Sequence, residues 1–136
     1  MNLDLLDINE RGDTDFDSLN PLEKNLYVLS LFFLLFEMEG GTHFLMHHQQ
    51  HLPRLLDFLE KIEAPNLQEV RALAELFQHS LGQTWEESAC EDFLSQLDDS
   101  DLEKIETWSN SYYVKTEAMW SKVRTYCRET EGIELM

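Results

Sequence analysis

His43, His47 and His51 recur at i, i+4 and i+8, with His48 beside them. On an unbroken helix these positions share a face, and neutral imidazoles at i, i+4 can chelate zinc. The surroundings count against such a site. No Glu follows His47 in a metalloprotease pattern, Gly40-Gly41 and Pro53 crowd the segment, and no carboxylate lies at the spacing that would complete a ligand set. The cluster reads as polar surface or helix-end residues, and a metal-dependent enzyme is kept as the alternative of a different class.

Asp13, Asp15 and Asp17 copy positions 1, 3 and 5 of a calcium loop, but Ser18 stands where the loop needs Gly and Lys24 where it needs a bidentate Glu. The segment reads as a solvated acidic stretch. No nucleophile elbow, phosphate-cradling glycine loop or supported Cys–His arrangement is present. Carboxylates are so abundant that a pair for acid–base work could be drawn anywhere. The expectation is a protein that is not an enzyme and needs no cofactor.

Charge is the strongest signal. The chain carries 27 acidic and 10 basic residues, a formal charge of −17. Residues 111–136 hold four bases against four acids, so the whole excess lies in residues 1–110, with 23 acids against six bases. It is densest in 84–106, where Glu86, Glu87, Glu91, Asp92, Asp98, Asp99, Asp101, Glu103 and Glu106 face a single base, Lys104. On helices Glu87 and Glu91 would share a face with Asp98, and Asp99, Glu103 and Glu106 another, opposite an apolar stripe of Trp85, Ala89, Phe93 and Leu97. Carboxylates at i, i+3 or i+4 stand roughly 5–6 Å apart and repel by a few tenths of a kcal/mol per pair. A merely solvated face would interleave lysines. These nine acids are therefore the expected partner-binding surface.

So negative a surface repels phosphate backbones and anionic membranes, which excludes direct nucleic-acid binding and leaves a basic protein as the attractive partner. The longest apolar run, Leu26 to Phe36, is 11 residues interrupted by Ser30, short of the ~20 that span a bilayer. Acids stand where a signal peptide needs a basic region. Cys90 and Cys127 have no metal-type spacing and read as reduced, buried thiols. The expected compartment is the cytoplasm.

The elements that must position these residues are helices. Glycine and proline together number eight of 136, roughly half the usual share, and no alternating segment is long enough for a strand. Residues 1–20 read as an acidic flexible arm, and 21–136 as one helical domain. Asn20, Pro21 and Glu23 form a helix start, opening a helix to Glu39 that is apolar on every face and must be buried at the centre. Gly40-Gly41 ends it. Helices then follow near Thr42–Gln50 and Pro53–Glu63, and from Asn66 with Glu69 to His79. Gly82 stops the chain, and Thr84 with Glu87 starts the next helix. Ser100 with Glu103 caps another, which breaks near Asn110. The last runs from Tyr112 to Glu129, with Tyr112, Met119, Val123 and Tyr126 inward and Gly132 beyond its end. The expected fold is all-α: a single-domain bundle of about six to eight helices around the buried helix near 22–39.

Three segments carry a family resemblance: LEKNLYVLSLFFLLFEMEGGTHF, APNLQEVRALAELF, and FLSQLDDSDLEKIETW with YYVKTEAMWSKVRTYC. Together, over about residues 21–128, the chain resembles the DMP-type DNA-mimic proteins. Glu37, Gly40 and Gly41 match the family's glycine turn, as do Ala64-Pro65 at a helix boundary and Leu97-Asp98-Asp99 at a later turn. Glu39 and Thr42 replace the family's usual Asn and Phe. The resemblance implies an all-helical, non-enzymatic protein whose carboxylates stand in for DNA phosphates on a transcription factor or other DNA-binding protein. The nearest alternative is an immunity protein neutralising one toxin, such as a nuclease. A homodimer stays open.

Overall fold

The computed structural model describes residues 2–39, 41–81 and 86–136, with the side chains of 37–39, 41, 43, 80 and 81 left aside. The chain order is β1 (Asn2–Leu3), α1 (Leu5–Asp15), α2 (Pro21–Glu39), α3 (Gly41–His47), α4 (Leu52–Lys61), α5 (Leu67–Leu81), α6 (Glu87–Ser95), α7 (Asp99–Val114), α8 (Thr116–Glu131) and β2 (Glu134–Leu135). The fold is all-α, as the scarcity of turn residues requires. β1 and β2 form only a two-residue parallel pair joining the two ends of the chain.

α2 begins as its sequence demands. Asn20 Oδ1 accepts from the Glu23 N–H at 2.9 Å, and Glu23 Oε1 accepts from the Asn20 N–H at 3.0 Å, a reciprocal cap. Leu22, Leu26, Val28, Leu29 and Phe32 are buried on several sides of this helix, against α1, α3 and α4. Phe32 sits edge-on to Phe44 of α3 and to Tyr112 of α7, at 5.0 and 5.2 Å. Burial is incomplete towards the C-terminal end. Leu34 is 47% exposed, and Phe33, Leu35 and Phe36 are half-buried. The expectation of cover on every face from Leu26 to Phe36 holds only for its first half.

The acidic flexible arm expected for residues 1–20 is a docked helix instead. α1 is capped by Asp4, whose carboxylate accepts from the Leu6 N–H at 2.9 Å. Ile8 is fully buried, and Leu3 and Leu19 nearly so. Polar contacts reinforce this. Asn9 donates to Ser30 Oγ at 2.9 Å, Tyr27 donates to Asp13 at 2.7 Å, and Arg11 pairs with both Asp7 and Glu23. Close approach at Gly12 lets α1 lie against the Tyr27 ring. Counting charges hid a helix that is anchored in the core by Ile8, although Leu6 on the same helix stays exposed.

Three other boundaries differ. Asp98, not Ser100, caps α7, accepting from the Asp101 N–H at 2.8 Å. The break falls at Lys115 rather than Asn110, so Tyr112 is buried in the last turn of α7 while Met119, Val123 and Cys127 form the buried stripe of α8. Asn66 makes no cap either. It is fully buried, donates to Met119 Sδ at 3.3 Å, and leaves Oδ1 without a partner. Tertiary packing outcompeted the local cap. The expected stops at Gly40 and Gly82 and the Thr84–Glu87 start lie outside the described residues, as does Trp85.

Candidate protein-docking surface

α6 is anchored by Cys90, which is fully buried, and by Phe93 set edge-on to Phe77 of α5 at 5.1 Å. α7 is anchored on α5 by Tyr112, Trp108 and Ile105. A second tie is polar. Glu69 of α5 accepts from Ser111 at 2.8 Å and from Lys115 just beyond α7. Its side chain is only 10% exposed. Burial works against its ionisation, but the hydrogen bonds from Lys115 and Ser111 outweigh this and hold its pKa below the ordinary carboxyl value. Sequence spacing carried no sign of this contact across 46 residues.

With their inner faces so occupied, both helices turn the acids outward. Glu86, Glu87, Glu91, Asp92, Asp98, Asp99, Glu103 and Glu106 are exposed, and Asp101 is half-buried. Glu87 is the member of the nine with a basic group in ion-pair range among the described residues, His47 Nδ1 at 3.6 Å. Four of the ten lysines and arginines pair with other acids: Arg11 with Asp7 and Glu23, Arg71 with Glu60, Lys115 with Glu69 and Arg128 with Glu134.

The grouping of the acids differs from expectation. α6 ends at Ser95, so Asp98 does not continue the face of Glu87 and Glu91. Five of the nine, Glu86, Glu87, Asp98, Asp99 and Asp101, sit at helix N-terminal caps or first turns, where negative charge complements the helix dipole. The fold itself accounts for them. Glu91, Asp92, Glu103 and Glu106 lie further along their helices, exposed and without that compensation.

The histidines diverge. α3 ends at His47 and a 3-10 turn occupies Gln49–His51, so the i, i+4, i+8 face is broken. His47 approaches Glu87, while the His51 ring packs 4.8 Å from Phe16, and burial lowers its pKa. His43 falls among the side chains left aside. Among the described residues no group of three or more His, Cys, Asp or Glu is placed to hold a metal ion. Asp13, the first of the three calcium-like aspartates, is engaged by Tyr27, whose pKa burial and that contact push up to about 12. Both cysteines are free and buried, and burial raises their pKa.

Sequence reasoning also missed an apolar surface. Tyr113 and Val114, at the end of α7, are 59% and 80% exposed, and Leu102 on the same helix is 49% exposed. A break at Asn110 puts Tyr112, Tyr113 and Val114 at the start of the next helix, whereas they close α7. Among the described residues no helix is long and apolar enough to cross a membrane. Comparison of the chain with protein-family models, curated proteins and solved structures finds no match.

Proposed function

We propose that this chain is a non-enzymatic binding protein that occupies the basic, DNA-binding face of a protein partner, its carboxylates taking the place of DNA phosphates. The observation that carries this reading is the set of exposed, mid-helix acids, Glu91, Asp92, Glu103 and Glu106, which have no basic group in ion-pair range among the described residues. Nothing in the fold requires four charges there, and their mutual repulsion opposes folding. A basic groove built for phosphates spaced about 3.4 Å per strand accepts carboxylates about 5–6 Å apart on a helix as counter-charges. The resemblance of three segments to the DNA-mimic proteins points the same way. With a charge of −17 the protein does not itself bind duplex DNA.

The test is to capture the partner from native lysate, identify it, and measure its affinity with duplex DNA as competitor. Glu91→Gln, Asp92→Asn, Glu103→Gln and Glu106→Gln keep shape and remove charge. At about 0.2–1 kcal/mol per exposed pair, the four together weaken binding by roughly 1–4 kcal/mol. Neutralising Asp4, Asp7 and Glu10 instead has the smaller effect. Failure of DNA to compete, or a larger loss in the second variant, overturns the assignment.

A further inference from the structure

The half-uncovered end of α2 has a counterpart on α7. Phe33 of α2, with Tyr113, Val114, Thr116 and Glu117 across the α7–α8 junction, lines an open groove of about 410 Å³. Trp120 of α8 stands edge-on to Phe33, centroids 6.0 Å apart, and backs the same apolar patch. Residues this apolar normally find cover, and an exposed patch of aromatic and branched side chains marks an interaction site. A surface serving only as a phosphate substitute has no use for it, because a DNA backbone offers no comparable apolar anchor.

The groove is continuous with the acids. Asp99, Leu102, Glu103, Glu106, Asn110 and Tyr113 recur at i, i+3, i+4, i+7, i+11 and i+14, so they form one stripe along α7, and all six are exposed. Acids occupy half of this stripe, and Tyr113 at its C-terminal end opens onto the groove. Glu117 lies on the groove's wall and adds a further carboxylate beside it. Charge selects the occupant. A second copy of this chain would bring another −17 against the same stripe, whereas a cationic segment is drawn along it.

We infer that the groove between α2 and the α7–α8 junction receives an apolar side chain from a basic, amphipathic helix of the partner, whose cations lie along the acids of α7. This rests on the function proposed above and deepens it: the acids attract and orient, and the groove supplies the desolvated anchor that gives an interface most of its affinity.

Two synthetic helical peptides of equal positive charge serve as probes, one with an aliphatic stripe and one with Gln and Ala in its place. The aliphatic peptide binds at least tenfold tighter and shifts the NMR resonances of Val114, Thr116, Glu117 and the Trp120 indole. Tyr113→Ser with Val114→Ser, both exposed positions, removes that advantage and leaves the polar peptide's affinity unchanged. Glu103→Gln with Glu106→Gln weakens both peptides, as does added salt. Equal, salt-sensitive binding of the two peptides overturns the groove assignment and leaves the charge reading standing. Binding of the aliphatic peptide that ignores salt and the Glu103 and Glu106 changes overturns the charge reading and, with it, the basic occupant. Dimerisation of the wild-type chain that the Tyr113–Val114 variant abolishes makes the occupant a second copy and overturns the inference.

Discussion

Glu69 and Glu23 are carboxylates that the fold draws inward rather than presents to solvent. Glu23 accepts from Arg11 and from the Asn20 backbone, and Glu69 from Lys115 and Ser111, so both have pKa values below the ordinary 4.5. A depressed folded-state pKa contributes stability that is present above the unfolded value and lost as pH falls through the folded one. Glu69→Gln should therefore lose about 1.5–3 kcal/mol at pH 7, the usual range for a hydrogen bond to a charged group. That deficit should begin to shrink as pH falls below about 4.5 and vanish once pH passes below the depressed folded-state value, where the wild type loses the same ionic contact. Denaturant unfolding at pH 7, 5, 4 and 3 measures it, and a deficit constant with pH would show that lost packing rather than lost charge is responsible. The thiols behave differently. Cys90 and Cys127 are buried, with pKa raised by that burial, and the thiolate is the reactive form. A thiol reagent at pH 8 should titrate neither in the native protein and both after denaturation. Rapid labelling of the native protein would contradict their burial.

α1 docks on α2 because Gly12 has no side chain. A Cβ there would stand 2.3 Å from the Tyr27 ring, and the other two nearest atoms belong to the same ring. Gly12→Ala gains helix propensity but forces the helices apart, and overpacking of this kind costs about 1–3 kcal/mol. The net outcome expected is destabilisation, read as a lower urea midpoint. A neutral or stabilising result would mean that α1 does not pack as described. The end of α4 gives a prediction of opposite sign. Glu63 holds φ +56, the left-handed conformation, while the Ala64 N–H reaches back to the Leu59 carbonyl at 2.9 Å. This is the helix-ending turn that normally takes glycine. Glu63→Gly should raise stability by about 1 kcal/mol, since a side chain in that region costs about 1–2 kcal/mol and glycine returns part of the gain through chain entropy. The same assay checks it. α8 already follows this rule, with Gly132 at φ +65.

Across the whole molecule the excess of 17 negative charges is carried by surface acids with few cations beside them. Glu87 with Glu91, and Glu103 with both Asp99 and Glu106, are like-charge neighbours on their helices. Screening should therefore stabilise the protein. The melting temperature is expected to rise between about 10 mM salt, where the Debye length is about 30 Å, and 1 M, where it is about 3 Å. Binding to a basic partner should weaken over the same range, because counter-ions are released on association. The two trends oppose one another, which separates partner binding from simple folding effects. A melting temperature that falls with salt would show that favourable ion pairs such as Arg11–Glu23 dominate the surface acids.

The amino-acid sequence by itself determined the helical class, the central helix from Pro21 to Glu39 with its Asn20–Glu23 cap, the αL stop at Gly132 and the acid-rich segment. Each follows from local terms: periodicity, capping chemistry and glycine's conformational freedom act within a few residues and are legible in one chain. The tertiary structure decided what depends on distant partners. It turned Asn66 inward to Met119, gave Glu69 to Lys115, moved the α7 cap to Asp98, and placed α1 in the core through Ile8 and Gly12. It also left Phe33, Tyr113 and Val114 around an open groove, although their composition alone would bury them. Burial is a sum over all neighbours in space, and a pattern read along one helix counts only the neighbours along that helix.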